Sequence, residues 1–166
     1  YTHQTKYQLP IPPSPNLPNM KSIYLYPSTC FFEATPVSLG RGTSLPFQVY
    51  GHPNMTGYNY SFTPRSIPGA KNPPQLNKLC HGVDLSNMSD EEIWKRGVDL
   101  TYVIDAYRNL NLDDHFFRPF FELLVGRDYV RKMIKEGKSA DDIKAMWKGD
   151  VEKFKAQRKP YLLYEE

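Results

Sequence analysis

The residues best suited to chemistry lie in the segment FFEATPVSLGRGTSLPFQVYG, residues 31–51. One carboxylate, Glu33, precedes one guanidinium, Arg41, and Arg41 stands between two glycines. Glycine permits a positive φ and a close approach of the main chain to another group. Such a turn can direct backbone amides and a guanidinium fork at a single carboxylate, phosphate or sugar oxygen. The spacing also allows a simpler arrangement, in which Arg41 pairs with Glu33 and stabilises the loop.

The Gly-Arg-Gly sequence is too common to identify a ligand, and it lacks the glycine pattern of a P-loop or a dinucleotide fold. No Ser/His/Asp arrangement or nucleophile elbow is readable in the chain. His52 and His81 are predicted to be hydrogen-bonded structural residues. Arg65 and Lys71, in FTPRSIPGAKNPP, could form a basic rim or could be solvated surface residues.

Composition limits the class of protein. The 166 residues, 40% of them hydrophobic, are enough for one domain with one core. The net charge of +3 comes from dispersed Lys and Arg residues, which does not indicate a nucleic-acid interface. No apolar run reaches the roughly 18 residues that a membrane span needs, so we expect no span.

The two cysteines, Cys30 and Cys80, are too few and too far apart for a zinc site. They are either buried thiols or one disulfide, and the first reading is favoured because free cysteine is among the most buried residue types. The chain opens on Tyr1 without an initiator methionine or a signal peptide, which is typical of a piece of a longer protein.

The elements that must position the Glu33–Arg41 segment are predicted from the local composition and spacing of residues. Residues 1–21 are rich in proline and should form an extended strap or linker, followed by a single α/β domain over residues 22–166. Aromatic and β-branched runs predict four strands, at SIYLYP (22–27), PFQVYG (46–51), YNYSFTPRSI (58–67) and LCHGVDLS (79–86).

The second half has helical periodicity. Ser89 and Glu92 form a capping-box pattern that predicts one helix reaching to Leu110, with an apolar face made by Ile93, Gly97, Leu100, Thr101, Ile104 and Tyr107. A second helix is expected over residues 128–136, ending at Gly137.

A third helix should begin at Ser139 or Asp141 and carry an apolar stripe of Ile143, Met146, Trp147, Val151 and Phe154. Trp94 and Trp147 are both expected in the core, and YLLY should end the chain as a strand or extended tail. Strands followed by helices predict a mixed α/β or α+β fold, in which a sheet from the strand-rich N-terminal half is covered by helices from the C-terminal half.

Five motifs in order carry a family resemblance: PPSPNLPN, YPSTCFFEATPVSLGRGTSLPFQVYG, FTPRSIPGAKNPP, LCHGVDL and YLLY. From about Pro12 to its end, the chain resembles the carboxy-terminal half of the DUF1343 proteins, which are associated with exo-β-N-acetylmuramidases of the NamZ type. The family pattern Glu-Gly-Thr-Asn is replaced by Glu33, Ala34, Thr35 and Pro36, whereas the following Gly-Arg-Gly-Thr matches.

The resemblance implies a glycosidase that releases N-acetylmuramic acid from the non-reducing ends of peptidoglycan fragments, outside the cytoplasm (periplasmic or secreted) and without a metal or cofactor. Its active site would lie between this module and an N-terminal Rossmann-like domain that this chain lacks. Glu33 would act as second carboxylate or hydrogen-bonding residue, and Arg41 would bind the lactyl carboxylate. The further substrate-binding residues would be Gly42, Thr43, Asn16, Arg65 and Lys71.

Two other readings stay open at this stage. The chain could be a module that binds cell-wall glycan without catalysing its turnover, or a structural docking domain in which Glu33 and Arg41 form an internal salt bridge. The isolated chain is expected to be inactive under all three readings.

Overall fold

A computed structural model describes Thr2 and residues 5–164 of the chain. Along that part, the elements follow in the order α1 (Met20–Thr29), a 3₁₀ turn (Cys30–Ala34), β1 (Val49–His52), β2 (Tyr60–Phe62), β3 (Cys80–Asp84), α2 (Asp90–Arg96), α3 (Thr101–Leu110), a 3₁₀ turn (Asp113–His115), α4 (Phe121–Val125), α5 (Tyr129–Lys135), α6 (Ala140–Arg158) and a 3₁₀ turn (Lys159–Tyr161). The expected mixed α/β class is confirmed.

The three strands form one antiparallel sheet in the order β1-β3-β2. Gly51 of β1 pairs with Gly82 of β3, and a Cβ atom at Gly82 would lie only 1.9 Å from the carbonyl oxygen of Tyr50. The two glycines therefore let the strands approach closely. β2 and β3 lie within two of the predicted runs, and β1 overlaps the run 46–51 and ends one residue beyond it, so that part of the sequence prediction is confirmed.

The remaining strand prediction, at residues 22–27, is wrong because this segment lies inside α1. Asn19 caps the helix: its side chain accepts a hydrogen bond from the Ser22 amide at 2.9 Å, and Ser22 completes a capping box. Ser22, Leu25, Ser28 and Thr29 are buried, which is helical rather than alternating spacing. The cap and this spacing outweigh the β propensity of the aromatic residues.

The single helix expected from Ser89 to Leu110 is also wrong, since α2 ends before Gly97, whose φ is +59°. Ser28 of α1 stabilises the break, because its hydroxyl donates to the Gly97 carbonyl at 3.1 Å and accepts from the Asp99 amide at 2.9 Å. Ser89 does cap α2, but Glu92 pairs with Arg96 instead of completing the capping box.

The end of α5 and the beginning of α6 are as predicted, whereas α4 was not predicted. Gly137 follows α5 with a φ of +79°, and Ser139 caps α6 in a capping box with Asp142. After α6, a 3₁₀ turn (Lys159–Tyr161) leads into Leu162, which is extended, and residues 162–164 form no strand. The stripe on α6 is only partly covered: Ile143 is fully buried and Trp147 half-buried, whereas Met146, Val151 and Phe154 are exposed. Trp94 is half-buried as well, so neither tryptophan is a full core residue.

The main core lies between α1, the Cys30–Ala34 turn, β1 and helices α2 to α6, and its largest fully buried side chains include Phe32, Phe47, Phe116 and Phe121. Cys30 and Cys80 are free thiols; Cys80 is buried, as favoured from the sequence, whereas Cys30 is half-buried. Burial raises the pKa of each thiol to about 11. Among the described residues, we find no helix with the length and apolar character needed to cross a bilayer.

Candidate functional site

The 3₁₀ turn Cys30–Ala34 brings Glu33 to the loop that contains Arg41, and Arg41 Nη2 donates a hydrogen bond to Glu33 Oε1. This is the ion pair that the spacing allowed. Both side chains also reach the surface, with exposed fractions of 36% for Arg41 and 24% for Glu33. The Nε atom of Arg41 is buried and has no hydrogen-bond partner among the described residues. The pair therefore leaves part of the guanidinium donor set unused.

The turn around Arg41 depends on its two glycines. Gly40 and Gly42 have φ values of +79° and +81°, and a Cβ atom on Gly42 would lie 2.3 Å from the carbonyl oxygen of Arg65. The Arg65 amide donates to the Gly42 carbonyl at 2.9 Å. Thr43 closes the turn, since its amide and its hydroxyl both donate to the Gly40 carbonyl, at 3.0 and 2.7 Å. The backbone thus holds Arg41 in one place.

Phe47 forms the floor beneath the guanidinium. The Arg41 Cζ atom lies 5.2 Å from the centroid of the Phe47 ring, within cation–π range. Phe47 has a φ of +60°, an uncommon conformation for a bulky residue that persists only where the surroundings enforce it. Here its ring is almost fully buried, and its amide donates to the Leu39 carbonyl at 2.7 Å.

Tyr26 of α1 lies near the Glu33–Arg41 pair and was not singled out from the sequence. Its ring centroid is 5.1 Å from that of Phe47, and 37% of the residue is exposed. Burial raises the pKa of its phenol, and the nearby Glu33 carboxylate raises it further. The Tyr26 phenol is therefore protonated at neutral pH and lies near Glu33. The tyrosine–proline sequence was the available signal, but the strand prediction for residues 22–27 concealed its position.

The other predicted residues fall into two groups. Gly42, Thr43 and the Arg65 backbone belong to the turn that carries Arg41, and the exposed Arg65 guanidinium donates to the Asn77 side chain at 3.0 Å. Asn16 lies at a different contact, where its amide donates to the Gly69 carbonyl at 3.0 Å. Lys71 is exposed, two residues beyond Gly69.

A second polar cluster was not predicted. The Asp105 carboxylate on α3 accepts hydrogen bonds from the hydroxyls of Tyr50 and Tyr58, at 2.9 and 2.6 Å. The ring of Tyr50 stacks on that of Phe32, with 4.8 Å between the ring centroids. Phe32 directly precedes Glu33 in the chain. Burial raises the pKa of both tyrosines, and Asp105 raises it further. Nothing in the local sequence marks Asp105, because its partners come from distant segments.

The comparison with known families decides which family the chain belongs to. Residues 24–164 match the family model described as "Exo-beta-N-acetylmuramidase NamZ, C-terminal". The chain belongs to this NamZ C-terminal family. A relative from Bacillus subtilis (strain 168), named peptidoglycan beta-N-acetylmuramidase NamZ, is 33% identical over 92% of the chain and 40% of its own length.

Two solved structures of DUF1343 family proteins from Bacteroides fragilis are similar as well. One is 82% identical with a TM-score of 0.97, and covers all of this chain and 47% of its own. The other is 20% identical with a TM-score of 0.69, over 99% of this chain and 49% of its own, and it shows the fold alone. The NamZ C-terminal domain thus spans about half the length of these relatives.

Proposed function

We propose that this chain is the C-terminal module of a peptidoglycan exo-β-N-acetylmuramidase and that it supplies one wall of the active site. Two findings support the proposal: membership of the NamZ C-terminal family, and a relative named as a peptidoglycan beta-N-acetylmuramidase. Because the chain spans about half of its relatives, the hydrolytic activity belongs to the complete protein, and the N-terminal half supplies the opposite wall.

The observation that carries the proposal is the partly exposed Glu33–Arg41 pair above the strained Phe47, with Tyr26 beside it. Strained backbone conformations collect at functional sites, where the surrounding structure over-determines them. Exposed aromatic carbon, a hydroxyl donor, a carboxylate and a guanidinium together provide the contacts that an acidic sugar needs: an apolar face for the ring and charged groups for its substituents.

Arg41 is assigned to the lactyl carboxylate, the group that distinguishes N-acetylmuramic acid from N-acetylglucosamine. A guanidinium presents five N–H donors in a planar fork that matches a carboxylate. The pair with Glu33 occupies part of that fork and fixes its orientation. The exposed part of the guanidinium is then available to a substrate carboxylate without breaking the internal pair, whereas the Nε atom is buried. Gly42 and Thr43 hold the turn, and we assign Arg65, Lys71 and Asn16 as rim residues of the proposed site.

Glycoside hydrolysis usually needs two carboxyl groups, one to protonate the leaving oxygen and one to act at the anomeric carbon or on a water. As the acceptor of the Arg41 hydrogen bond, Glu33 is suited to the second role or to binding a sugar hydroxyl. The proton donor would then come from the N-terminal half. This division explains why the isolated chain would be inactive.

The test is substitution of Arg41 by Ala in the complete protein, with kcat/KM measured on fragments ending in N-acetylmuramic acid and on matched fragments ending in N-acetylglucosamine. Loss of a charge-assisted contact should lower the muramic-acid preference about 10- to 100-fold. Arg108→Ala is the matched control, because this exposed arginine donates to the Gly137 carbonyl instead. Equal losses on both substrates would remove Arg41 from the recognition of the lactyl group.

The closed ion pair favours one alternative, in which Glu33 and Arg41 only stabilise the loop. In that case Arg41→Ala should lower the melting temperature of the chain and leave the substrate preference of the complete protein unchanged. A third possibility, glycan binding without turnover, predicts that the complete protein binds the fragments and does not cleave them. We further propose that the complete protein acts outside the cytoplasm, which cell fractionation would test.

A further inference from the structure

The C-terminal end of the molecule exposes an unusual amount of apolar surface. We define residues 146–164, the last three turns of α6 with the tail that follows, as the C-terminal arm. Its exposed large apolar residues, with their exposed fractions, are Met146 (57%), Val151 (41%), Phe154 (60%), Tyr161 (83%), Leu162 (38%), Leu163 (90%) and Tyr164 (57%). Monomeric proteins rarely leave such residues contiguous, and larger exposed patches mark interaction surfaces.

The arm carries the second part of one apolar face of α6, and the first part of this face is buried. Ala140, Ile143, Trp147, Val151 and Phe154 follow one another at intervals of three or four residues and therefore share one side of α6. The first two pack into the core, Trp147 is half-buried, and the last two are exposed. The apolar face is thus continuous, but the body of the domain covers only its beginning.

A groove at the base of the arm extends this surface. It has a volume of about 480 Å³, and its lining includes Cys30, Phe31, Leu124, Val130, Trp147 and Val151. Cys30 and Phe31 belong to the same 3₁₀ turn as Glu33. The uncovered apolar surface therefore runs from the arm to the element that carries the proposed site.

We propose that the C-terminal arm and this groove are the surface on which the other half of the complete protein docks. The solved relative that is 82% identical contains this whole chain, arm included, yet the chain accounts for only 47% of it. Each such protein therefore has a second half of similar size, large enough to cover the arm. Continuity with the Glu33 turn places this contact beside the proposed cleft, where the two halves must meet.

The charged residues of the arm indicate which charges the partner surface should carry. Both carboxylates of the helical part of the arm are already paired, Asp150 with Arg127 and Glu152 with Lys155. Lys148 and Lys153 are exposed along the same segment. The docking surface should accordingly be an apolar patch with carboxylates at its rim, since charged groups around an interface are arranged to be complementary.

Hydrogen–deuterium exchange on the complete protein, without substrate, tests this inference. The amides of residues 148–158 should be protected, and Phe154→Asp should lower their protection about 10- to 100-fold, the factor that corresponds to exposing one buried Phe. Leu163→Asp, in the tail, should have the same effect without altering the helix itself. Leu79→Asp is the matched control, because Leu79 is 55% exposed but precedes β3.

Two results would overturn the inference: rapid exchange of the arm amides in the unsubstituted complete protein, or protection that rises with protein concentration, which would mean that a second copy covers the arm. The measurement contains no glycan and reports no catalysis. Its outcome is therefore separate from that of the Arg41 experiment, and either proposal can fail alone.

Discussion

The region around Glu33 and the C-terminal arm both contain regularly spaced aromatic and aliphatic residues, but they have opposite environments. Phe32 is fully buried and stacks on Tyr50 at 4.8 Å, whereas Phe154 is 60% exposed. The first region is held by contacts within the chain, and the second has an apolar face that continues past the body of the domain. An apolar pattern therefore shows which face of a helix will be covered, but it does not identify the covering element.

The same substitution in the two regions should give the largest contrast. Phe32→Ala should lower the free energy of unfolding of the chain by about 4 kcal/mol, because a buried aromatic ring is lost and a cavity remains. Phe154→Ala should change it by less than about 0.5 kcal/mol, as expected at an exposed position. Urea denaturation of both variants measures the difference. A large loss for Phe154→Ala would show that the arm packs within this chain.

Two glycines with almost identical φ values offer the next comparison. Gly42 (φ +81°) lies against Arg65 and Pro73, whereas Gly57 (φ +83°) has nothing within 4 Å of the position of a Cβ atom. Gly42→Ala should cost roughly 2–5 kcal/mol, because strain adds to a backbone clash. Gly57→Ala should cost only the conformational term, about 1–2 kcal/mol. Equal losses in thermal unfolding would mean that the turn carrying Arg41 can relax around a methyl group.

How much of the fold could be predicted from the sequence depends on whether a feature is set by neighbouring residues or by distant ones. Ser139, Gly137 and the three strand runs were identified correctly because caps, turn glycines and alternating residues act locally. The helix Met20–Thr29 was missed, and its residues 22–27 were interpreted as a strand, because its cap, Asn19, lies in the segment interpreted as a strap. The break at Gly97 depends on Ser28, which is distant in sequence. The Tyr50–Asp105–Tyr58 cluster likewise joins residues that are distant in sequence, so no local pattern could reveal it.

Substitution of the α6 cap, Ser139, tests whether the helical structure of the arm depends on the first turn of α6. Ser139 accepts a hydrogen bond from the Asp142 amide at 3.1 Å, so Ser139→Ala should cost about 1 kcal/mol. Circular dichroism should show a lower melting temperature and increased fraying of α6. Ser139→Asp, which can cap the helix again, should restore most of the loss. If the Ala variant melts like the parent chain, the body of the domain alone fixes α6.

The smallest effect expected near neutral pH concerns the two tyrosines that donate to Asp105. The pKa values of Tyr50 and Tyr58 are raised in the folded chain, mainly by burial and then by Asp105. From about pH 10 upward the unfolded chain loses these phenolic protons while the folded chain keeps them, so stability must fall as pH rises. The thiols of Cys30 and Cys80, with pKa values of about 11, add to the fall from about pH 9. Tyr58→Phe should make the decline in unfolding free energy between about pH 9 and 11 less steep. Identical slopes for Tyr58→Phe and the parent chain would contradict the coupling of Tyr58 to the half-buried Asp105.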